Sequence, residues 1–426
     1  MTDKKQFFPI KTDTACLLKW NWSTIYFQSG TTSSCHRTTK LKIPEDNFAS
    51  FHNLPTKVED RQQMLKGHWP KNTCDYCKKI EDKGHTSDRM NQLTQQTDIS
   101  LTPPELIKDP SSTSVTPTFI EVYFSNTCNM SCVYCGPHFS SKWEEELKKH
   151  GDLPEFKKER ENTKYSVQSI QHNPLYEKQK KDFWAYLEGN ERYKTLRWFS
   201  FLGGEPLVIP ELDECINFWD THPNDNLTFQ MITNLKADDN RFGSFLDKIE
   251  KLTSNKKVYQ FKVIASLDCL GEQAEYVRYG LKMHQWYRNF EKLLKVKYLS
   301  VGINSALSIL TLPTFSKLLE KIQEWNKGRR TIDRIVHSFN IENSITSPNI
   351  AGPEFFEPLL KECNKYFSEE TAREISIKKY WDGLMNNILS SSKDEEKIEK
   401  LRNYLSRLDS RRNTNWKKTF PWLVDL

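Results

Sequence analysis

The chain lacks the features that mark membrane and secreted proteins. No stretch approaches the ~18 consecutive apolar residues of a membrane-spanning helix. Residues 1–5, Met-Thr-Asp-Lys-Lys, contain no apolar core of a secretory signal. We therefore expect a cytoplasmic protein that does not bind a membrane.

Glycine, proline and excess charge are also scarce. The 426 residues include 15 glycines and 19 prolines, too few for a fibrous or low-complexity chain. The net charge of +6 is modest for this length and forms no basic stripe, so nucleic acid is not an expected partner. With 37% hydrophobic and 12% aromatic residues, the chain can bury one large core or two domains.

Cysteine, by contrast, is grouped. Cys128, Cys132 and Cys135 follow the spacing C-x3-C-x2-C, which puts three thiols on one short loop. Iron–sulfur cubanes usually take four cysteine ligands, so three would leave one iron open to a molecule from solution. The alternative is a structural zinc site, although such sites favour two separated cysteine or histidine pairs.

Four further thiols lie in the N-terminal part of the chain, at Cys16, Cys35, Cys74 and Cys77. Gly30 is predicted to form the turn of a hairpin that brings Cys16 and Cys35 side by side. Four cysteines would complete either an iron–sulfur cluster or a structural zinc site. Polar residues downstream either donate hydrogen bonds to these sulfurs or belong to a capped surface helix: Glu81, Gly84, Ser87 and Arg89.

Short β-rich runs alternate with amphipathic stretches beyond residue 118. The predicted strands are 119–124, 196–202, 227–233, 261–267, 299–303 and 332–339, and helices are predicted at 245–252, 286–296 and 315–325. This alternation predicts βα units around a parallel sheet. The polar stretch 139–194 interrupts the first two units, and we expect it to form a pair of solvated helices, with a lid as the alternative.

Several motifs together resemble the signature of the radical S-adenosylmethionine (radical SAM) enzymes. The cysteine triplet, with Tyr134 before its third member, comes first, and Gly203-Gly204-Glu205-Pro206 resembles the family's GGEP motif. Three shorter matches follow in the expected order: Asn234 of a Thr-Asn pair, Ser266 and Asp268 of an S-x-D motif, and Arg278. Cys128, Gly203, Asn234 and Asp268 lie at or just beyond the carboxyl ends of predicted strands, where parallel α/β barrels assemble active sites.

The resemblance implies an α/β fold with a partial (β/α)6 TIM-like barrel. A [4Fe–4S] cluster on Cys128, Cys132 and Cys135 would bind SAM through its open iron. One electron, from a donor such as flavodoxin or ferredoxin, would then yield methionine and a 5′-deoxyadenosyl radical that removes hydrogen from a C–H bond. This chemistry requires no acid–base pair, so no catalytic side chain is predicted.

The resemblance also implies roles for the other matched residues. Gly203 and Gly204 would let the backbone approach SAM, and Glu205, before Pro206, would meet the SAM ammonium or fix its loop. Arg278 would pair with the SAM carboxylate. The remaining matched residues would lie near the ribose, carboxylate or adenine of SAM: Ser266, Asp268, Asn234 and Tyr134.

The spacing C-x13-G-x4-C from Cys16 through Gly30 to Cys35 resembles the opening of the SPASM and twitch modules, which hold auxiliary [4Fe–4S] clusters. Those modules usually follow the barrel, whereas this one precedes it. The predicted domains are a small cysteine-rich twitch-like domain at 1–92, a linker at 93–117, the radical SAM core at 118–345 and a helical C-terminal extension at 346–426.

The substrate is the least determined feature of the chain. A peptide or protein is expected, because relatives with SPASM or twitch modules commonly modify peptides and proteins. A small metabolite, sugar or nucleotide is the alternative. A non-catalytic, zinc-stabilised interaction protein is a further alternative from another functional class.

Overall fold

The computed structural model describes residues 9–84, 86–90, 99–154, 173–342, 344–367, 369 and 371–426. At its centre is a nine-stranded, mostly parallel sheet with the order β3-β2-β1-β4-β5-β6-β7-β8-β9. The strands are β1 (Trp22–Tyr26), β2 (Thr31–Ser33), β3 (Leu41–Lys42), β4 (Phe119–Tyr123), β5 (Trp198–Leu202), β6 (Asn224–Thr233), β7 (Val258–Ser266), β8 (Leu299–Leu307) and β9 (Val336–Ile341). All six predicted strands are present, with ends shifted by a few residues.

The helices before β7 are α1 (Leu17–Asn21), α2 (Pro55–Leu65), α3 (Asp75–Glu81), α4 (Pro104–Lys108), α5 (Ser141–His150), α6 (Tyr176–Glu188), α7 (Glu211–Thr221) and α8 (Asp239–Ser254). Those after β7 are α9 (Gly271–Val277), α10 (Met283–Leu293), α11 (Phe315–Asn326), α12 (Pro353–Asn364), α13 (Ala372–Leu389), α14 (Glu395–Arg412), α15 (Trp416–Thr419) and α16 (Trp422–Asp425). No helix in the described part of the chain has the length and apolar character needed to cross a membrane.

Helix α8 illustrates how the sequence produces these elements. The Asp238 side chain accepts a hydrogen bond from the backbone N–H of Arg241 and so caps the helix. Phe242, Phe245 and Ile249 recur at helical spacing and are buried against the sheet. The three helices predicted beyond residue 240 are confirmed: α8 and α11 are longer than predicted, and α10 begins and ends three residues earlier.

The two faces of the sheet differ in polarity. In β4, Ile120 and Val122 belong to the main apolar core, as do Phe199 and Phe201 in β5. Successive side chains in a strand point to opposite faces. Phe119, Glu121 and Tyr123 therefore lie on the opposite face of the sheet, away from that core. This opposite face is the inner face of the sheet.

The stretch 139–194 was expected to form solvated helices, and this prediction is wrong in one respect. Helices α5 and α6 are present, but α5 buries Trp143 and Leu147, and α6 buries Phe183 and Leu187. Burial of these apolar stripes stabilises packing against the core. Residues 155–172 of the stretch lie outside the described residues.

The N-terminal segment joins the same sheet as the following strands. Strand β1 pairs antiparallel with β2 and parallel with β4. Gly30, with φ of +62°, lies at the turn between β1 and β2, which confirms the predicted hairpin. Residues 91–98 of the predicted linker lie outside the described residues, whereas its remainder contacts the N-terminal segment through Trp20 Nε1, which donates to Ser112 O at 2.9 Å.

The C-terminal helices reach the loop that carries the cysteine triplet. Tyr404, in α14, is fully buried, and its hydroxyl donates to the carbonyl of Val133 at 2.6 Å. At the end of the same helix, Arg412 donates to Glu146 at 3.0 Å and lies over the ring of Trp143. The extension therefore supports the loop from outside the sheet.

Replacing Tyr404 by Phe should destabilise the protein, because the carbonyl of Val133 loses a buried donor. The expected decrease in the free energy of unfolding is about 1–3 kcal/mol, measured by urea denaturation. The matched control is Tyr259→Phe at a side chain that is 73% exposed, which should change stability by less than about 0.5 kcal/mol. Equal stabilities of the two variants would contradict the anchoring role of Tyr404.

Candidate active site and thiol groups

The loop with Cys128, Cys132 and Cys135 begins directly beyond the carboxyl end of β4. Its backbone is held by the N–H of Val133, which donates to Val277 O at 2.7 Å, and by the indole of Trp143, which donates to Cys132 O at 2.8 Å. The loop is therefore held by α5, by the end of α9 and by α14, and its three thiols remain half-buried.

Gly203 and Gly204 follow β5 and lie against the β4 loop. Both have positive φ, at +84° and +54°. A Cβ atom on Gly203 would lie 2.5 Å from the ring of Tyr123, and one on Gly204 would lie 2.2 Å from Thr127 O. Only glycine fits at these positions without displacing the cysteine loop.

Glu205 is 1% exposed, and both of its carboxylate oxygens have protein donors. Oε1 accepts from the Thr233 hydroxyl at 2.5 Å and from the Leu207 N–H at 3.0 Å, and Oε2 accepts from the Asn234 N–H at 2.6 Å. Burial raises the pKa of Glu205 to about 7, although these hydrogen bonds lower it. The side chain ties its loop to the end of β6, and Pro206 begins a buried turn behind it.

Asp268 connects three parts of the site. Its Oδ1 accepts from Arg278 Nη2 at 2.7 Å and from the Ala306 N–H at 2.8 Å, and its Oδ2 accepts from the Tyr134 hydroxyl at 2.7 Å. Arg278 Nε is buried without a hydrogen-bond partner in the described structure. Ser266, the last residue of β7, lies in register with Asn304 and is half-buried.

Asn234 follows β6 and contacts the cysteine loop directly. Its side-chain amide donates to Asn129 Oδ1 at 2.9 Å and lies 4.0 Å from Cys128 Sγ. The structure thus brings the predicted residues of four strand ends together at one edge of the sheet, as expected for parallel strands.

Burial opposes ionisation of the three loop thiols. Burial, and after it the charges of the neighbouring Cys132 and Glu205, raise the pKa of Cys128 to about 12. Burial raises the pKa of Cys132 as well, but the positive charges of Arg278 and Arg412 lower it. The pKa of Cys135 is raised by burial and by both other thiols. The three thiols are close enough to influence one another's charge.

The four N-terminal thiols form a second neighbourhood. Burial, and after it the negative charges of Cys35 and Cys74, raise the pKa of Cys16 to about 12. Burial raises the pKa of Cys77, and Cys35 is again one of the neighbours that raise it. Cys35 is therefore an electrostatic neighbour of Cys16, Cys74 and Cys77.

The hydrogen-bonding role predicted for the polar residues after Cys77 is found at two of them. The backbone N–H of Arg89 and the hydroxyl of Ser87 both lower the pKa of Cys77 by hydrogen bonding. The Arg89 guanidinium pairs with Glu81 and donates to Ala15 O at 2.7 Å, beside Cys16. Gly84, three residues after the end of α3, has a positive φ of +75°, and its N–H donates to Glu81 O at 2.9 Å.

No three His, Cys, Asp or Glu side chains in the described ranges converge on the position of a single metal ion.

Comparisons with known proteins were made for the whole chain. No protein-family model matches it, and no curated protein matches it significantly. Among solved structures, it is similar to Streptococcus suis SuiB bound to the precursor peptide SuiA, with 13% identity and a TM-score of 0.36 over 92% of this chain and 69% of that one. It is also similar to anSMEcpe with bound AdoMet and the Kp18Cys peptide, with 18% identity and a TM-score of 0.34 over 64% of this chain and 62% of that one.

The residues at this edge of the sheet fit the groups that the sequence resemblance implies. Three thiols on one loop match the donor set of a cluster with an open iron, because iron–sulfur clusters are held by cysteine thiolates. The glycine pair lets its backbone approach this loop closely, and the unpartnered Nε of Arg278 offers a buried donor to an acidic group.

Sequence reasoning missed Glu121 on the inner face of the sheet. Glu121 is 3% exposed and accepts a hydrogen bond from the Thr24 hydroxyl at 3.0 Å, and His36 Nε2 lies 3.5 Å from the same oxygen. It is in register with Ser200, which accepts from Trp198 Nε1 at 2.9 Å. A single carboxylate inside the apolar run Phe119–Tyr123, just before the cysteine loop, was the signal available in the sequence.

Replacing Gly204 by Ala should push Thr127 and the cysteine loop away, because no space exists for a Cβ. We expect a loss of about 1–3 kcal/mol in stability and a lower iron content after anaerobic reconstitution. Gly243→Ala, in the middle of α8 with open space around it, is the matched control and should be neutral or slightly stabilising. Normal iron binding by Gly204→Ala would show that the loops tolerate a side chain at this contact.

Glu121 should make stability depend on pH. Burial raises its pKa from 4.5 to about 8, so between these values the unfolded chain loses the proton and the folded chain keeps it. The contribution of the protonated Glu121 side chain to the free energy of unfolding is complete below pH 4.5. This contribution is lost as the pH rises towards about 8, by up to about 1.4 kcal/mol per pH unit. The free energy of unfolding should therefore fall relative to that of Glu121→Gln across this range.

The control for this measurement is Glu145→Gln, at a side chain that is 62% exposed. Its stability difference from the wild type should vary little across the same pH range. A constant difference between the wild type and Glu121→Gln would show that Glu121 ionises normally in the folded protein.

Proposed function

We propose that this chain is a radical SAM enzyme that activates a C–H bond of a peptide or protein substrate. The observation that supports this function is the meeting of the cysteine loop with the Gly203-Gly204 contact and the Asp268–Arg278 pair at one sheet edge. When bound by Cys128, Cys132 and Cys135, a [4Fe–4S] cluster would supply one electron for reductive cleavage of SAM.

The glycine motif fixes its own loop through the side chain of Glu205. Both oxygens of Glu205 already accept hydrogen bonds from Leu207, Thr233 and Asn234. Of the two expected roles, these contacts favour fixing the loop over a direct bond to the SAM ammonium. Backbone groups of Gly203 and Gly204 would then face the SAM amino group.

Asp268 orients two groups that would meet SAM. It accepts hydrogen bonds from the Tyr134 hydroxyl and from Arg278 Nη2, and these bonds fix the orientation of the Tyr134 ring and of the Arg278 guanidinium. Arg278 Nε remains available to the SAM carboxylate, which suits the planar guanidinium. Ser266 and Asn234 would lie on either side of these groups, near the ribose and the amino group.

The wider assignments follow the same proposal. Strands β4 to β9 would form the partial (β/α)6 barrel of a core at 118–345, preceded by the twitch-like segment 1–92 and the linker 93–117, and followed by the extension 346–426. Cys16, Cys35, Cys74 and Cys77 would hold an auxiliary [4Fe–4S] cluster. A flavodoxin or ferredoxin would provide electrons.

The inner face of the sheet supports a peptide or protein substrate over a small metabolite. Gln230 and Asn304 are half-buried there, and Ser338 is exposed, so this face presents polar side chains from three strands. Glu121 lies on this face two residues before Tyr123 in the same strand. Two residues of a strand span about 7 Å, so Glu121 and its neighbours on adjacent strands lie that far from the edge at which Tyr123 stands. A peptide segment can cover such a face and pair with its hydrogen-bonding groups.

The assignment of the two thiol groups is tested by two cysteine variants. Cys132→Ala should abolish SAM cleavage, because it removes a ligand of the cluster that binds SAM. Cys74→Ala should retain some cleavage without product coupling, since only the N-terminal site is altered. The measurement is 5′-deoxyadenosine formed from SAM under dithionite, after anaerobic reconstitution with iron and sulfide.

The iron content of each variant provides the control. The wild type should bind about four irons per expected cluster, and each variant should lose one cluster. Equal loss of cleavage in both variants, with the first cluster intact in Cys74→Ala, would refute this division of roles. Zinc alone in the purified wild type, with no cleavage of SAM, would refute the proposed function.

A further inference from the structure

Three cationic side chains are buried next to the N-terminal thiols. Lys19 is 3% exposed, Lys57 is 2% exposed and Arg61 is fully buried. Among the described residues, Asp60 is the buried carboxylate in contact with this set, and it is 7% exposed. The surroundings of these side chains are otherwise neutral or apolar, so positive charge is in excess.

Lys19 bridges Asp60 and the thiols. Its Nζ donates to Asp60 Oδ2 at 2.6 Å, and its charge lowers the pKa of both Cys16 and Cys74 against the stronger effect of burial. In the other direction, the Cys74 and Cys35 thiolates favour the charged form of Lys19. This lysine therefore interacts with three of the four thiols.

Lys57 has no carboxylate within hydrogen-bonding distance in the described structure. Its Nζ donates to Thr32 Oγ1 at 2.9 Å and to Ser23 Oγ at 3.2 Å, both neutral hydroxyls. Burial and the positive charges of Arg61 and Lys19 lower its pKa well below the usual value, whereas the Cys35 thiolate and Asp60 raise it. An anion at the thiol site would stabilise the charged ammonium.

The guanidinium of Arg61 adds to the excess of buried positive charge near Lys19 and Lys57. It donates to the carbonyls of Lys19, His52 and Thr113 and to Asn53 Oδ1, so its bonds satisfy its donors without neutralising its charge. Burying a cation without a counter-ion is costly, so a negative group nearby would stabilise this arrangement. The thiol group is the neighbouring site that can carry one.

Four thiolates around an oxidised [4Fe–4S] cluster leave a net double negative charge, and one-electron reduction adds a third with no change in the ligands. We propose that Lys19 and Lys57 compensate this charge, stabilise the reduced cluster and thereby raise its reduction potential. The N-terminal site would then act as an electron acceptor. This inference rests on the proposed auxiliary cluster at Cys16, Cys35, Cys74 and Cys77.

The test uses the full chain with Cys128, Cys132 and Cys135 replaced by Ala, so that any cluster signal comes from the N-terminal site. After anaerobic reconstitution, the cluster is titrated with dithionite as the one-electron reductant and followed by electron paramagnetic resonance. Lys57→Met should lower the reduction equilibrium constant at least tenfold, which is a shift of about 59 mV to more negative potential.

The matched control is Lys66→Met at the exposed C-terminal end of α2, the helix that carries Lys57. Its charge is screened by solvent, so the equilibrium constant should change by less than about twofold. Lys57→Gln, which keeps a donor for the Ser23 and Thr32 hydroxyls but removes the charge, should shift the potential in the same direction as Lys57→Met.

An unchanged potential in both Lys57 variants, or an equal shift in Lys66→Met, would overturn the inference. Zinc in place of iron at the N-terminal site would overturn it too, while leaving SAM cleavage at the first site as a separate question. If neither Lys57 variant folds, Lys57 serves the fold and the inference also fails.

Discussion

The carboxyl edge of the sheet depends on a contact between two backbones, where Gly204 lies against the carbonyl of Thr127. The N–H of Glu205 donates to that carbonyl at 2.8 Å, and the glycine leaves no room for even a methyl group. Glu205 then bonds to Thr233 and to the backbone of Asn234 after β6. One four-residue motif thereby joins the ends of three neighbouring strands.

Local signals predicted the fold best where each strand and helix had its own pattern. The six parallel strands were visible because apolar runs such as 196–202 are separated by helices with stripes such as Phe242, Phe245 and Ile249. The pairing of β1 with β4 was not predictable, since partners almost one hundred residues apart leave no local periodicity. The sequence of α5 and α6 suggested helices exposed to solvent, because the apolar stripe that each helix buries is narrow. In α5 this stripe consists of Trp143 and Leu147.

The residues of the candidate site also fall into two sets, those that local sequence patterns predicted and those that they did not. Cysteine spacing and the glycine motif predicted which residues meet, because both patterns are short and specific. Glu121, Lys57 and Tyr404 were missed, since each acquires its role from partners elsewhere in the chain, such as Thr24 or Val133. Both thiol groups have a buried cation from a different element nearby, Arg278 for the first and Lys19 for the second, which favours ionised sulfur.

The bond between Tyr404 and Val133 spans 271 positions of the chain. A ribosome that adds about 5–20 residues per second would need roughly 15–55 s to make that stretch. During this interval the nascent cysteine loop has its strand but lacks the helix that covers its outer side. The outer side of the cysteine loop is therefore covered only when the last helices dock.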